Sequence, residues 1–229
     1  MLLKHSVFFD ALFPAGMNAG ATMDNGDSAF ALRRMVHFAL PLSTVLNEIP
    51  LVIFDTETTG LDSDLDHIIE MGAMKVVGGK VIDEFSSFVS TNIELTQNIT
   101  NLTGITQDML VGQPAMADVL PKFLQFIKGS IIVAHNAEFD MAMLRSAATR
   151  LGYELNWPCF CTMKLTRKVL PGLPRYNLDT LAEHFKLTFE ARHRAVGDVK
   201  VLNSVLQEIL ENEELGVETW GDVSESVVQ

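Results

Sequence analysis

An α/β fold is predicted by three features of this 229-residue chain. Short apolar runs alternate with longer stretches of helical period, Gly78-Gly79 joins two of the runs, and acidic residues sit where apolar runs end. Alternation of that kind builds a sheet covered by helices. The glycine pair makes its two flanking runs an antiparallel hairpin within that sheet.

The first strand is read at residues 51–55, where Leu51 to Phe54 are all apolar and Asp55 closes the run. Residues 68–77 and 81–89 are the arms of the hairpin. A helix is expected at 115–128, then a strand at 131–135, because the apolar run Ile131 to Ala134 is strand-sized. Met141, Leu144, Ala148 and Leu151 keep helical spacing and place a helix at 137–151. A fifth strand is expected at 158–162 and helices at 177–186 and 195–211. The last helix is lined by Val199, Leu202, Val205, Leu206 and Leu210. No internal repeat is present.

Three acidic motifs fall at the ends of these elements. In Asp55-Thr-Glu-Thr-Thr-Gly60, Asp55 and Glu57 are two apart on a strand and therefore share a face. Two carboxylates so placed repel unless a cation lies between them. His135-Asn-Ala-Glu-Phe-Asp140 puts Asp140 in the first turn of the next helix, and His193-Arg-Ala-Val-Gly-Asp198 adds a fourth carboxylate at the start of the last helix. Taken singly, Asp55 or Asp140 reads as a solvated cap or turn former; the set points instead to one site. Hard oxygen ligands without cysteine suit magnesium or manganese rather than zinc, and metal-assisted phosphoryl transfer is the chemistry they suggest.

In order and in context, the three motifs resemble the DEDDh 3′–5′ exonucleases, the family that includes the proofreading epsilon subunit of bacterial DNA polymerase III. The resemblance covers about residues 50–210 and extends to Ile68-Ile-Glu-Met-Gly-Ala73, Leu102-Thr-Gly-Ile-Thr106 and Asn177-Leu-Asp-Thr-Leu181. It implies the ribonuclease H-like fold, a five-stranded mixed sheet flanked by helices. It further implies that Asp55, Glu57, Asp140 and Asp198 hold two Mg2+ or Mn2+ ions and that His193 is the general base. His193 and Asp198 are five residues apart, about 140° around a helix, so His193 is expected on the loop before it. His135 reads either as a residue that orients a turn or, as the resemblance implies, with Asn136 beside the substrate; Thr58 and Leu61, in and just after the first motif, are candidates for touching the terminal nucleotide through backbone amides or as an apolar wedge. Phe139 reads either as core or as a ring that stacks on a terminal base.

Composition bears on partners and compartment. The net charge of −12 is unusual for a nucleic-acid enzyme, but the excess is local. Residues 51–144 carry thirteen acidic and four basic side chains, whereas 145–200 carry ten basic and five acidic ones. Those ten basic residues read either as a phosphate-tracking rim or as ordinary solvated helix faces. Cys159 and Cys161 are too close along an extended chain to bridge readily, and two cysteines without a framework suit a reducing cytoplasm. No span crosses a membrane, since Asp10 and then Arg33 and Arg34 interrupt the apolar stretches of the N-terminus.

Three segments are expected: an extension at 1–48, flexible about 14–28 and amphipathic over 29–46 up to a break at Pro41; an exonuclease domain at 49–211; and an acidic tail at 212–229. Met17, Met23 and Met35 are alternative starts. The expected substrate is the single-stranded DNA 3′ end, with RNA as a second possibility, and the expected partner is a replicative DNA polymerase subunit. About 18 residues after Glu211 leave little room for a polymerase-binding tether, so a stand-alone enzyme in DNA repair or RNA 3′-end processing, like ribonuclease T, is the alternative. A non-catalytic binding module is disfavoured because all four carboxylates and the histidine are present.

Overall fold

The computed structural model describes residues 40–228. The segment 14–28 and the stretch 29–39 of the expected amphipathic helix lie outside the described residues. The strands and helices in chain order are β1 (Leu51–Thr58), β2 (Ile68–Val77), β3 (Lys80–Phe88), α1 (Gln97–Thr103), α2 (Gln107–Leu110), α3 (Met116–Ile127), β4 (Ile131–Ala134), α4 (Ala137–Arg150), β5 (Cys159–Cys161), α5 (Thr162–Val169), α6 (Leu178–His184), α7 (Ala195–Glu211), α8 (Trp220–Val223) and β6 (Val227–Val228).

The strands form one mixed sheet in the order β3-β2-β1-β4-β5-β6. β1, β4 and β5 run parallel; β2, β3 and β6 pair antiparallel with their neighbours. The expected α/β class, the hairpin at Gly78-Gly79 and the mixed sheet flanked by helices are all present. The strand count differs: there are six, because Val227–Val228 adds to the edge beyond β5. Two residues are too few to show the alternation by which a strand is read from sequence.

Side chains alternate across the sheet with the period of two that a strand imposes. Leu51 and Ile53 of β1, Ile131 and Val133 of β4, and Phe160 of β5 pack with α6 and α7. Val52, Phe54, Ile132, Ala134, Cys159 and Cys161 face α3 and α4, where the rings of Phe54 and Phe123 meet at a centroid distance of 4.8 Å. Each large side chain buried this way contributes about 2 kcal/mol.

Segments outside the three motifs complete the side that carries α7. Leu46 donates its N–H to the Glu218 carbonyl at 2.9 Å, while Trp220 and Gly221 donate to the carbonyls of Thr44 and Leu42, each at 2.8 Å. Leu46, Val217, Trp220 and Val223 are buried in the same cluster as α7. The acidic residues of 212–228 thus sit on a segment that also carries apolar anchors.

Two close approaches set up the crevice. β1 pairs with β4 only as far as Phe54 opposite Ala134, so Asp55 to Thr58 run past the end of β4. α7 crosses β2 so closely that a Cβ on Gly72 would lie 2.6 Å from the carbonyl carbon of Ala195.

Candidate active site

Asp55 and Glu57 lie on the part of β1 that runs past β4, and Asp198 comes down on them from the first turn of α7. One carboxylate oxygen from each of the three lies within 4.8 Å of the others. Asp140, from the first turn of α4, is tied to β1 through the intervening residue: its Oδ1 accepts the Thr56 N–H at 3.1 Å and the Thr56 hydroxyl at 2.8 Å. It stands outside the close group of three, yet its charge acts on Asp55.

The electrostatics are those of a site short of positive charge. Burial, reinforced by the charges of Asp140, Glu57 and Asp198, drives the Asp55 carboxyl well above its usual range. Burial and the neighbouring carboxylates Asp198, Glu70 and Asp140 raise Glu57 to about 8. Burial raises Asp140 to about 7 against the two Thr56 hydrogen bonds, and Asp198 to about 6 against the pull of Arg192. Asp198 Oδ1 is buried without a hydrogen-bond partner. A convergent set of carboxylates, one of which keeps a buried oxygen without a hydrogen-bond partner, fits a hard divalent cation, and no cysteine or histidine belongs to the group among the described residues.

His193 lies on the loop before α7, whose N-cap is Arg194, as its distance from Asp198 in sequence led one to expect. Its φ of 57° is left-handed, a conformation non-glycine residues adopt at a cost and retain where the surroundings impose it. Burial, with help from Arg192, holds its pKa below the ordinary imidazole value. On the same loop the chain passes close to α7, where a Cβ on Gly197 would collide with the Ala191 carbonyl oxygen.

The remaining sequence-derived residues occupy varied environments. Leu61 is 86% exposed on the loop after β1. Thr58 is buried and turns its hydroxyl to the Gly60 carbonyl at 2.6 Å. His135 places Nδ1 3.0 Å from the Thr162 hydroxyl, and burial pushes its pKa down to about 4. Asn136 is exposed in the left-handed conformation at the N-cap of α4, while Phe139 is half-buried against the cluster shared by α3 and α4.

Four further residues support the site: Glu70 and Asp179, which were not picked out individually from the sequence, and Arg192 and Arg194, which were read only among the ten basic residues of the candidate rim. Glu70, buried on β2 directly across from Glu57, binds Arg194 through two bonds and accepts the Ala195 N–H at 3.1 Å. Arg192 joins Asp198 to Asp179. A lone carboxylate inside the apolar run of β2 was the available signal for Glu70, because such a group requires a partner. At least five of the ten basic residues in 145–200 are held in ion pairs among the described residues: Lys164, Lys168, Arg192, Arg194 and Lys200. That weakens the reading of the set as a free phosphate rim.

The exonuclease family profile matches residues 52–206, which hold all three motifs. The chain belongs to the exonuclease family. The epsilon subunit of DNA polymerase III from Aquifex aeolicus is 38% identical over 161 residues, covering 70% of this chain and 80% of that protein. A PolC-type DNA polymerase III from Caldanaerobacter subterraneus subsp. tengcongensis is 38% identical over 200 residues, 85% of this chain and 14% of the polymerase. The chain therefore spans about a seventh of the length of that relative. Among solved structures, Exonuclease X in complex with 5′ overhanging duplex DNA superimposes with a TM-score of 0.62 at 28% identity, covering 76% of this chain and 99% of that one. Exonucleases of this family use divalent metals, and an acidic cluster of three carboxylates is present here. No helix among the described residues is long and apolar enough to cross a membrane.

Proposed function

We propose that this protein is a metal-dependent 3′–5′ exonuclease that releases nucleoside 5′-monophosphates from DNA 3′ ends, proofreading beside a replicative DNA polymerase. The observation that carries the reading is the meeting of Asp55, Glu57 and Asp198 at the end of β1, with one Asp198 oxygen buried and without a hydrogen-bond partner. Similarity to an epsilon subunit and to PolC-type polymerases supports the polymerase partner, and similarity to a DNA-bound exonuclease supports the substrate.

Asp55, Glu57, Asp140 and Asp198 hold two Mg2+ or Mn2+ ions, which supply Lewis-acid activation of water and charge compensation at the phosphodiester when bound. His193 is the general base that accepts the water's proton as oxygen adds to phosphorus and the bond to the preceding O3′ breaks. Burial and the charge of Arg192 favour its neutral imidazole, the form a base needs. Leu61, projecting from its loop, wedges against the terminal nucleotide beside the Thr58 backbone. His135 and Asn136 lie along the strand, while Phe139, packed against the core cluster, supports the start of α4.

Catalysis is assigned to residues 49–211, with 212–228 as their structural support and 1–48 as an extension. Two buried free cysteines support a reducing compartment, the cytoplasm. Purified protein with manganese, incubated with DNA and RNA single strands of one sequence and with a mismatched primer–template, tests the substrate. Faster release from DNA, and fastest at the mismatch, agrees with proofreading; preference for RNA moves the enzyme to RNA 3′-end processing.

A further inference from the structure

The acidic cluster has a cation beside it that the proposed chemistry does not use. Arg192 points Nη1 at Asp198 Oδ2, 2.5 Å away, and holds Asp179 with Nε at 2.6 Å and Nη2 at 3.1 Å. Its guanidinium lies 4.9 Å from the centroid of the Phe189 ring, a contact that steadies a cation. Asp198 therefore has one oxygen committed to a guanidinium and another buried and without a hydrogen-bond partner.

We propose that Arg192 is a built-in counter-ion, occupying Asp198 until a divalent cation takes that carboxylate, and so sets how much free metal the site needs. The inference rests on the metal site proposed above. Without metal, the guanidinium offsets part of the repulsion among Asp55, Glu57, Asp140 and Asp198. A divalent cation bound by Asp198 would share that carboxylate with the like charge of Arg192, so uptake of metal would work against the Arg192–Asp198 pair. Asp179, about half exposed, gives the guanidinium an alternative. Because Asp179 already binds two other nitrogens, Nη1 can release Asp198 while the side chain stays in place.

This arrangement makes two opposite demands. Removing Arg192 leaves the carboxylates without their cation, so metal binds more tightly and the metal-free fold is weaker. Removing the charge of Asp179 leaves Arg192 with Asp198 as its carboxylate partner, so metal binds less tightly. A merely structural role would move both variants the same way, toward weaker binding.

The test is calorimetric titration of the full chain with Mn2+ in the absence of DNA, alongside metal-free thermal melting. Arg192→Gln is expected to tighten Mn2+ binding about tenfold and lower the metal-free melting temperature, and Asp179→Asn to weaken binding about threefold. Unchanged or weaker binding in Arg192→Gln, or tighter binding in Asp179→Asn, overturns the proposal. If Arg192→Gln fails to fold, the sign in Asp179→Asn decides. Asp198→Asn separates this from the underlying assignment: undiminished Mn2+ binding in that variant means the metal site itself is wrongly placed.

Discussion

Glu70 grips Arg194 with both oxygens of its carboxylate, Oε1 accepting from Nη2 at 2.8 Å and Oε2 from Nε at 3.1 Å, while Oε2 also receives the Ala195 N–H. One strand residue thereby fixes the cap and the first residue of α7. Asp198 lies in the first turn of that helix and His193 immediately precedes its cap, so the clamp sets the position of both. The ring of Phe88 lies 5.1 Å from the Arg194 guanidinium and closes it from another side.

Glu70→Gln should therefore lower stability by about 2 kcal/mol, less than for a fully buried pair because the Arg194 side chain is 34% exposed. Turnover should fall about tenfold to a hundredfold with KM little changed, since positioning is lost rather than substrate contact. Denaturant melts and steady-state kinetics on a short DNA strand check both.

Gly72→Ala tests the same junction sterically. Its Cβ would approach the Ala195 carbonyl carbon to 2.6 Å and the Val196 nitrogen to 2.7 Å, so backbone must move. A loss of about 2 kcal/mol is expected, together with a drop in turnover. A variant as active and stable as the parent would show that the start of α7 tolerates displacement.

Replacing Asp55 and Glu57 together by alanine should reduce activity by about a thousandfold or more. In chelator the same variant should melt at a higher temperature than the parent, because it lacks two carboxylates that burial and mutual repulsion disfavour. A lower melting temperature would mean these charges are compensated in the metal-free protein.

The metal-free protein should lose stability as pH rises from about 5 to 8. Folding raises Glu57 from 4.5 to about 8, Asp140 from 3.8 to about 7 and Asp198 from 3.8 to about 6. The folded state thus holds more protons than the unfolded chain across that window. The stability these groups contribute is fully present below the ordinary carboxylate values and is lost as pH climbs through the raised ones. Saturating magnesium binds the deprotonated forms and should cancel or reverse the slope, which melting curves with and without metal would reveal.

His193→Ala should cut kcat by about 10²–10⁴ while Mn2+ affinity stays within about twofold of the parent. An equal loss of metal binding would make His193 a ligand, contrary to its place on the loop outside the carboxylate group.

Much of this was legible because it is local. Leu51 to Phe54 and Ile131 to Ala134 announce buried strands, and Asp55 with Glu57 announces a shared face. The support around the site was not legible, because it depends on distant pairings. Glu70 meets Arg194 across 124 positions, and Asp179 and Asp198 share Arg192 only once α6 and α7 pack side by side. The sixth strand escaped for a related reason: Val227 and Val228 become a strand only when β5 offers its edge.

The central claim is best tested on a 5′-labelled DNA single strand in manganese, with and without chelator, beside the same strand carrying a blocked 3′ end. Stepwise shortening of the open strand, absent with chelator, with the 3′ block and in Asp55→Ala, is the predicted result. Shortening that persists in Asp55→Ala, or internal cuts in the blocked strand, would contradict it.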